Sequence, residues 1–286
     1  MRKSFAWGII LFAIAIGSGC ESRQESSPTI TVSIQPLKYI VEAITGNDFP
    51  ISVLLPPGSS PENYEPSPQQ LIEVSRSGLL FTTGLIGFEQ SMAERIGQGE
   101  HAPTIVDLSE RIDPIQSFHS HGTHKHLQGN DPHIWTSLRN LKTMAETAYG
   151  QIALHYPDSL KYQWNFEKLV ARLDSLDQTI QTILSASGVQ YFLVFHPAFS
   201  YYARDYGLTQ IALEDEGKEP SVEQLQAVID LARREKIDKI LYQSEFPRST
   251  VEVVAREIGA QPIEVDILGE QITDNLLFLT EQIATP

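Results

Sequence analysis

The sequence is poor in cysteine, in basic residues and in long apolar runs. Cys20 is the single cysteine among 286 residues, so a disulfide framework within one chain is excluded. Lys and Arg number 21 against 36 Asp and Glu, and this excess of negative charge argues against nucleic acids and anionic lipid surfaces as partners. Beyond the first twenty residues no apolar run is long enough to cross a bilayer, so we expect a folded body outside the membrane.

The N-terminus carries the one marked apolar segment. Arg2 and Lys3 precede an apolar run that ends near Ile16, a layout typical of a secretory signal peptide over residues 1–19. Cys20 then resembles the acylated cysteine of a bacterial lipoprotein box, although Gly17 stands where such boxes usually have Leu. Residues 20–28 are polar and predict a tether behind a lipid anchor. The alternative is a lone thiol in a cleaved peptide. We therefore expect an extracytoplasmic, membrane-anchored lipoprotein, periplasmic or on the cell surface.

The body alternates short β-rich runs with segments of helical periodicity. Such short apolar strands, separated by helices, predict parallel sheets of the doubly wound type. The predicted strands form two groups: 29–34, 51–55, 78–83 and 104–108, then 191–195, 208–213, 239–243 and 262–266.

A different pattern separates the two groups of strands. From Asp158 to Ser185 apolar residues recur every three to five positions without Gly or Pro, which predicts one helix of roughly 28 residues. The expected fold is α/β, with two doubly wound parallel-sheet lobes bridged by one long α-helix. The predicted boundaries are an N-terminal lobe at 29–157, a linker helix at 158–186 and a C-terminal lobe at 187–286.

Four candidate metal ligands follow predicted strands: Asn63, His133, His196 and Asp266. Open α/β sheets bind ligands in the crevice beyond the carboxyl ends of their strands. Two imidazoles, a carboxylate and one further oxygen suit a borderline divalent cation such as zinc. Each residue also has a purely structural alternative, as a helix cap, a turn residue or a hydrogen-bonded core histidine.

A second group of histidines lies just before His133. The segment HSHGTHKH has no apolar periodicity and contains a glycine, so we expect residues 119–126 to be a mobile, solvated loop that binds additional cations. The alternative is a tract that serves solubility alone. The histidines of this auxiliary metal loop are His119, His121, His124 and His126.

Four longer motifs occur in order along the chain: PPGSSPENYEPSPQQL, DPHIWTSLRNLKTMAE, VFHPAFSYYARDYGL and EGKEPSVEQLQAVIDLARREKID. Together they resemble the metal-binding solute-binding proteins of zinc and manganese ABC transporters, the ZnuA/TroA-like group. The resemblance covers residues 30–283. It implies a monomeric, non-enzymatic protein of two lobes and a bridging helix, which hands one metal ion to the permease subunits of an ABC transporter.

The resemblance also implies a ligand set. His133, His196 and Asp266 match family ligands, whereas Asn63 stands where the family usually has histidine. The neighbouring Glu62 could supply the missing donor, because some zinc-binding members place a glutamate beside that histidine. Histidine rather than glutamate at position 196 favours Zn²⁺ over Mn²⁺.

Two other functions are compatible with these residues. A metal-dependent extracytoplasmic hydrolase could use the same ligands with an open position for water. The sequence contains neither HExxH nor GxSxG, which weighs against that alternative. The other alternative is a manganese-binding, adhesin-like lipoprotein.

Overall fold

The structure is a computed structural model that describes residues 29–97, 102–121, 124–157, 160–214 and 221–285; within 117–128 it describes the backbone alone. The predicted signal peptide, Cys20 and the tether at 20–28 lie outside the described residues. Among the described residues, no helix is both long and apolar enough to cross a membrane.

The N-terminal lobe is built on a four-stranded parallel sheet with the strand order β2-β1-β3-β4. The strands are short and their apolar residues are largely buried, as parallel strands covered by helices require. The elements of this lobe are β1 (Ile30–Val32), α1 (Gln35–Thr45), β2 (Ile51–Val53), α2 (Pro68–Val74), β3 (Leu79–Thr82), α3 (Gly87–Ile96), β4 (Thr104–Asp107), β5 (Gln116–His121), β6 (His124–Asn130), a short 3-10 helix (Ile134–Thr136) and α4 (Leu138–His155).

The histidine tract forms a two-stranded antiparallel hairpin, β5–β6, so the prediction of an irregular loop at 119–126 is wrong for its described backbone. His119 pairs with His126 and His121 pairs with His124. Strand pairing satisfies peptide N–H and C=O groups whatever the side chains are. Such pairing therefore does not require an apolar alternation in the sequence by which to recognise it.

The two lobes are joined by α5 (Leu160–Ser187), a helix of 28 residues that is about 42 Å long. Its buried residues include Leu169, Leu173, Ile180 and Leu184, at the spacing that lines one face of a helix. This face packs against α1 and α4 of the first lobe and against a helix of the second lobe, α9 (Ile272–Ala284). One helix thus contributes to the core of both lobes.

The C-terminal lobe repeats the architecture with the parallel strand order β10-β9-β7-β8. Its elements are β7 (Tyr191–Val194), α6 (Ser200–Tyr206), β8 (Thr209–Ala212), α7 (Val222–Glu235), β9 (Lys239–Tyr242), α8 (Arg248–Ile258), β10 (Gln261–Glu264) and α9 (Ile272–Ala284). The predicted fold class, two parallel-sheet lobes bridged by one long helix, is confirmed.

Both sheets reverse their strand order beside their first strand. The order turns at β1, between β2 and β3, and again at β7, between β8 and β9. A crevice opens at such reversals, beyond the carboxyl ends of the strands. One apolar cluster runs from the first sheet through α5 into the second lobe, where it includes Val194, Leu241 and Ile267. The two crevices are therefore held together by a shared core.

Candidate metal centre

His133 lies at the boundary between the lobes, at the start of the 3-10 helix, and only 5% of it is exposed. Three hydrogen bonds tie its surroundings to the second lobe. Trp135 Nε1 donates to Ile267 O at 3.0 Å, and Thr136 Oγ1 lies 3.0 Å from Ala198 O. The Tyr201 hydroxyl donates to the backbone carbonyl of Asp131 at 2.7 Å. His133 belongs to the first lobe, but its position is fixed by the second.

The carboxylate of Asp131 orients the His133 ring. Asp131 Oδ1 accepts the backbone N–H of His133 at 2.9 Å and lies 2.8 Å from its Nδ1. A carboxylate accepts, so Nδ1 carries the proton and Nε2 is left with its lone pair. Burial opposes the charge on Asp131, but the hydrogen bonds from the ring and the backbone N–H of His133 outweigh it and lower the pKa of that carboxyl. The pair presents a ready nitrogen donor.

His196 follows β7 directly, and two carboxylates flank its ring. Its Nδ1 lies 3.0 Å from Glu214 Oε2, and its Nε2 lies 3.1 Å from Glu62 Oε1. Burial alone would lower the pKa of His196, but the hydrogen bonds that its ring donates to Glu214 and Glu62 outweigh it and raise that pKa to about 9. In the metal-free protein the positively charged imidazolium of His196 thus balances the charge of the two carboxylates.

Glu62 is supplied by the loop after β2. Its hydrogen bond to His196 lowers the pKa of the Glu62 carboxyl, so this group is ionised at neutral pH. Glu62, His133 and His196 each offer a ligand atom, and these three atoms lie within 4.8 Å of one another. A tetrahedral zinc ion with bonds of 2.0–2.1 Å separates its donors by about 3.3–3.4 Å. The 3.1 Å between Glu62 Oε1 and His196 Nε2 is already close to that separation.

The cavity between these side chains has a volume of about 20 Å³, roughly that needed for one water molecule or one ion. It is lined by the three candidate ligands and by Trp135, Gln243 and Phe246, among other residues. The protein has a much larger cavity, of about 360 Å³, at the amino ends of β7 and β9. Its lining contains no histidine, so the small cavity is the better candidate for a transition-metal site.

Two of the predicted ligands stay outside this group. Asn63 is exposed and does not line the cavity, although Glu62 beside it does. Asp266 is also exposed, and its Oδ1 accepts the backbone N–H of Leu268 at 3.1 Å. Glu245 lines the cavity, and burial, reinforced by the charge of Asp266, raises the pKa of the Glu245 carboxyl. The ligand role of Asp266 stays a prediction.

Three residues at the site were not predicted from the sequence. Asp131 and Glu214 orient the two imidazoles, and Gln243 lines the cavity. Asp131 could have been found, because it stands two residues before His133. Glu214 and Gln243 follow β8 and β9, so the strand-end rule that selected Asp266 also applies to them. The sequence does not indicate which of these strand ends face the cavity.

Residues 30–283 match the protein family described as the zinc-uptake complex component A, periplasmic, ZnuA. The chain belongs to the ZnuA family. A relative in Chlamydia trachomatis serovar D is 28% identical over 278 residues, which are 96% of this chain and 98% of that protein. The high-affinity zinc uptake system protein ZnuA of Bacillus subtilis is 26% identical over 242 residues, 81% of this chain and 76% of that one.

Solved structures agree with this membership. A crystal structure of ZnuA superposes with a TM-score of 0.81 at 34% identity, covering 91% of this chain and 98% of that one. A ZnuA deletion mutant with zinc bound gives a TM-score of 0.81 at 35% identity, with coverage of 91% and 97%. The ZnuA-family chain described here shares their two-lobe fold and a role in metal binding for zinc uptake.

The raised pKa of His196 predicts that zinc displaces a proton from the site. Because this pKa is about 9, Nε2 is protonated at pH 7.5 and must lose its proton before it binds a cation. We expect His196 to release close to one proton per zinc, and the apparent zinc affinity to rise by about tenfold per pH unit between pH 7 and 9. Calorimetric titrations in buffers of different ionisation enthalpy measure the released protons.

Glu214→Gln provides the comparison for this experiment. It removes one of the two carboxylates that raise the pKa of His196, so fewer protons should be released at pH 7.5. A binding enthalpy that does not depend on the buffer, in the unsubstituted protein, would contradict the protonated state of His196.

Proposed function

We propose that this protein captures one zinc ion between Glu62, His133 and His196 and delivers it to the permease of an ABC transporter. One observation carries the proposal: three ligand atoms from three separate segments lie within 4.8 Å of one another at the lobe boundary. A structural role for these histidines would not require a carboxylate from a third segment beside them. The proposed membrane partner follows from the family, whose members are components of zinc-uptake complexes.

The composition of the site favours Zn²⁺. Two imidazole nitrogens suit zinc, whereas manganese prefers a shell made mainly of carboxylate, carbonyl and water oxygens. The charges fit as well, because Glu62 touches the ion's position and Asp131 and Glu214 lie directly behind the two rings. Three carboxylates thus surround two imidazoles, and a dication compensates most of their charge.

The size and burial of the cavity favour capture over hydrolysis. A zinc hydrolase needs an open coordination position for water and room beside it for a substrate. The cavity has about 20 Å³, and both histidines are almost fully buried, at 5% and 6% exposure. Such a site encloses an ion and leaves no space for a peptide or ester. The family, too, is one of solute-binding transport components.

We also propose that the mature protein is a monomer anchored outside the cytoplasm through a lipid on Cys20. The support is the N-terminal sequence, in which a signal-like segment ends at that residue. The described body begins at residue 29, so nine residues at 20–28 would connect it to the anchor.

Replacing either histidine tests the proposed function. We expect the unsubstituted protein to bind one tight zinc per chain without turnover of ester or peptide substrates. His133→Ala and His196→Ala should each weaken zinc binding by more than the roughly 10–100-fold that follows loss of an outer-shell partner. His155→Ala is the matched control, because His155 lies on the exposed end of α4 and hydrogen-bonds to Thr104. Competition with a chromogenic chelator gives the affinities, and unchanged affinity in either site variant would remove that histidine from the ligand set.

The choice between Glu62 and Asn63 is tested by exchanging their functional groups. Glu62→Gln should weaken zinc binding, because a neutral amide oxygen replaces an ionised carboxylate. Asn63→Ala should leave the affinity unchanged, since Asn63 is exposed and outside the cavity. If all of these variants titrate alike, the loop after β2 supplies no ligand.

The hairpin histidines are expected to form weaker sites of their own. Deletion of residues 119–126, with a short Gly-Ser replacement, should keep the tight zinc site and remove additional, weaker binding. Ordering histidine side chains on chelation costs conformational entropy, which lowers the affinity of such sites. Equilibrium dialysis with zinc quantification gives the number of ions bound in each class. Loss of the tight site in the deletion variant would mean that the hairpin and the buried centre form one site.

A further inference from the structure

Gln243 lies at the end of β9 with 2% of its surface exposed, and its side-chain oxygen has no hydrogen-bond partner in the described part of the protein. Its side chain lines the same small cavity as Glu62, His133 and His196. Buried amide oxygens are ordinarily paired, and leaving one unpaired costs free energy. The residue that carries this unpaired oxygen thus lines a space that fits one ion.

The orientation of the Gln243 amide is fixed by its other end. Nε2 lies 3.3 Å from the backbone carbonyl oxygen of His196 and donates to it. A carbonyl oxygen accepts and never donates, so the nitrogen of the amide must face it and Oε1 must face away. The unpaired atom is therefore the acceptor, and an acceptor needs a proton donor or a cation.

Glu62, His133 and His196 supply three donors, whereas zinc in proteins is usually four-coordinate. The two predicted residues that could complete the shell are engaged or absent from the cavity: Asp266 accepts a hydrogen bond from Leu268, and Asn63 does not line the space. We propose that Oε1 of Gln243 is the fourth donor of the metal site. This inference rests on the proposed function, because it completes the same zinc centre.

A glutamine in this position has a consequence for selectivity. The donor set becomes two nitrogens and two oxygens, with a single negative charge on the ligands themselves. A neutral amide binds a dication more weakly than a carboxylate would, so it completes the shell without adding the charge that favours harder, oxygen-seeking cations. Nε2 of Gln243 also donates to the backbone carbonyl of His196, so one hydrogen bond positions these two ligands relative to each other.

The substitution Gln243→Met tests the inference, because methionine keeps the length of the side chain and removes the oxygen. In the metal-free protein the loss of the Nε2 hydrogen bond is offset by removal of an unpaired oxygen, so the melting temperature should change little. Zinc affinity, measured by chelator competition, should fall by tenfold or more. A structural role alone would produce the opposite pattern, with lower metal-free stability and unchanged affinity.

Gln210→Met is the matched control. Gln210 is a half-buried glutamine of the same lobe, and its Oε1 accepts the backbone N–H of Phe199 at 2.7 Å. The same chemical change at this position should lower the metal-free melting temperature and leave zinc affinity unchanged.

A crystal structure of the zinc-loaded, unsubstituted protein gives a second measurement that does not depend on any variant folding. We expect Gln243 Oε1 at about 2.0–2.2 Å from the ion. An ion that is farther from this oxygen, with a water molecule between them, overturns the inference, and so does equal zinc affinity of Gln243→Met and the unsubstituted protein. If the unsubstituted protein binds no zinc tightly, the proposed function itself fails. It also fails if the His133→Ala variant binds zinc as tightly as the unsubstituted protein.

Discussion

The proposed metal centre depends on holding two imidazoles from different lobes close together. The ring centroids of His133 and His196 are 5.2 Å apart, with the ring planes inclined at 71°. A displacement of one lobe by about 1 Å would change the distances from His196 to both first-lobe ligands, and a metal shell tolerates errors of about 0.2 Å. The relation of the lobes is fixed by α5, which lies in the core of both, and by the hydrogen bond between Trp135 and Ile267.

Charge balance imposes a second constraint at the same place. Asp131, Glu214 and Glu62 surround the two rings, and this concentration of negative charge would destabilise the boundary if nothing compensated it. In the metal-free protein the compensation is the proton on His196, which both of its carboxylate neighbours stabilise. We therefore expect a proton and a metal ion to compete for one arrangement of carboxylates.

The sequence predicted the strands well because their signal is local. Buried parallel strands are short apolar runs between turns, and each predicted run overlaps an observed strand whose ends differ by at most two residues at either side. The long helix was equally clear from its uninterrupted periodicity. The β5–β6 ribbon was missed for the converse reason: its pairing is carried by backbone hydrogen bonds, and these leave no regular pattern in the order of side chains.

The ligand set was only partly predictable, since neighbouring residues in a loop can face different ways. Glu62 lines the cavity whereas Asn63 is exposed, and no periodicity in the loop after β2 indicates which of the two faces the ion. Asp266 follows its strand as expected, but its carboxylate closes a turn with Leu268. The strand-end rule locates a crevice, whereas the direction of each side chain is decided by the tertiary contacts of its loop.

The three clustered residues also differ in access to solvent, which bears on how an ion could enter and leave. The side chains of His133 and His196 are 7% and 8% exposed, and their buried carboxylate partners hold them in place. The side chain of Glu62 is 39% exposed and comes from a loop. Glu62 is therefore the most accessible of the three clustered residues, and its contact with His196 is the one that can break first without disturbing the core. A rigid pair of nitrogens with one more accessible carboxylate combines firm binding with a path for release, as a protein that captures an ion and then hands it on requires.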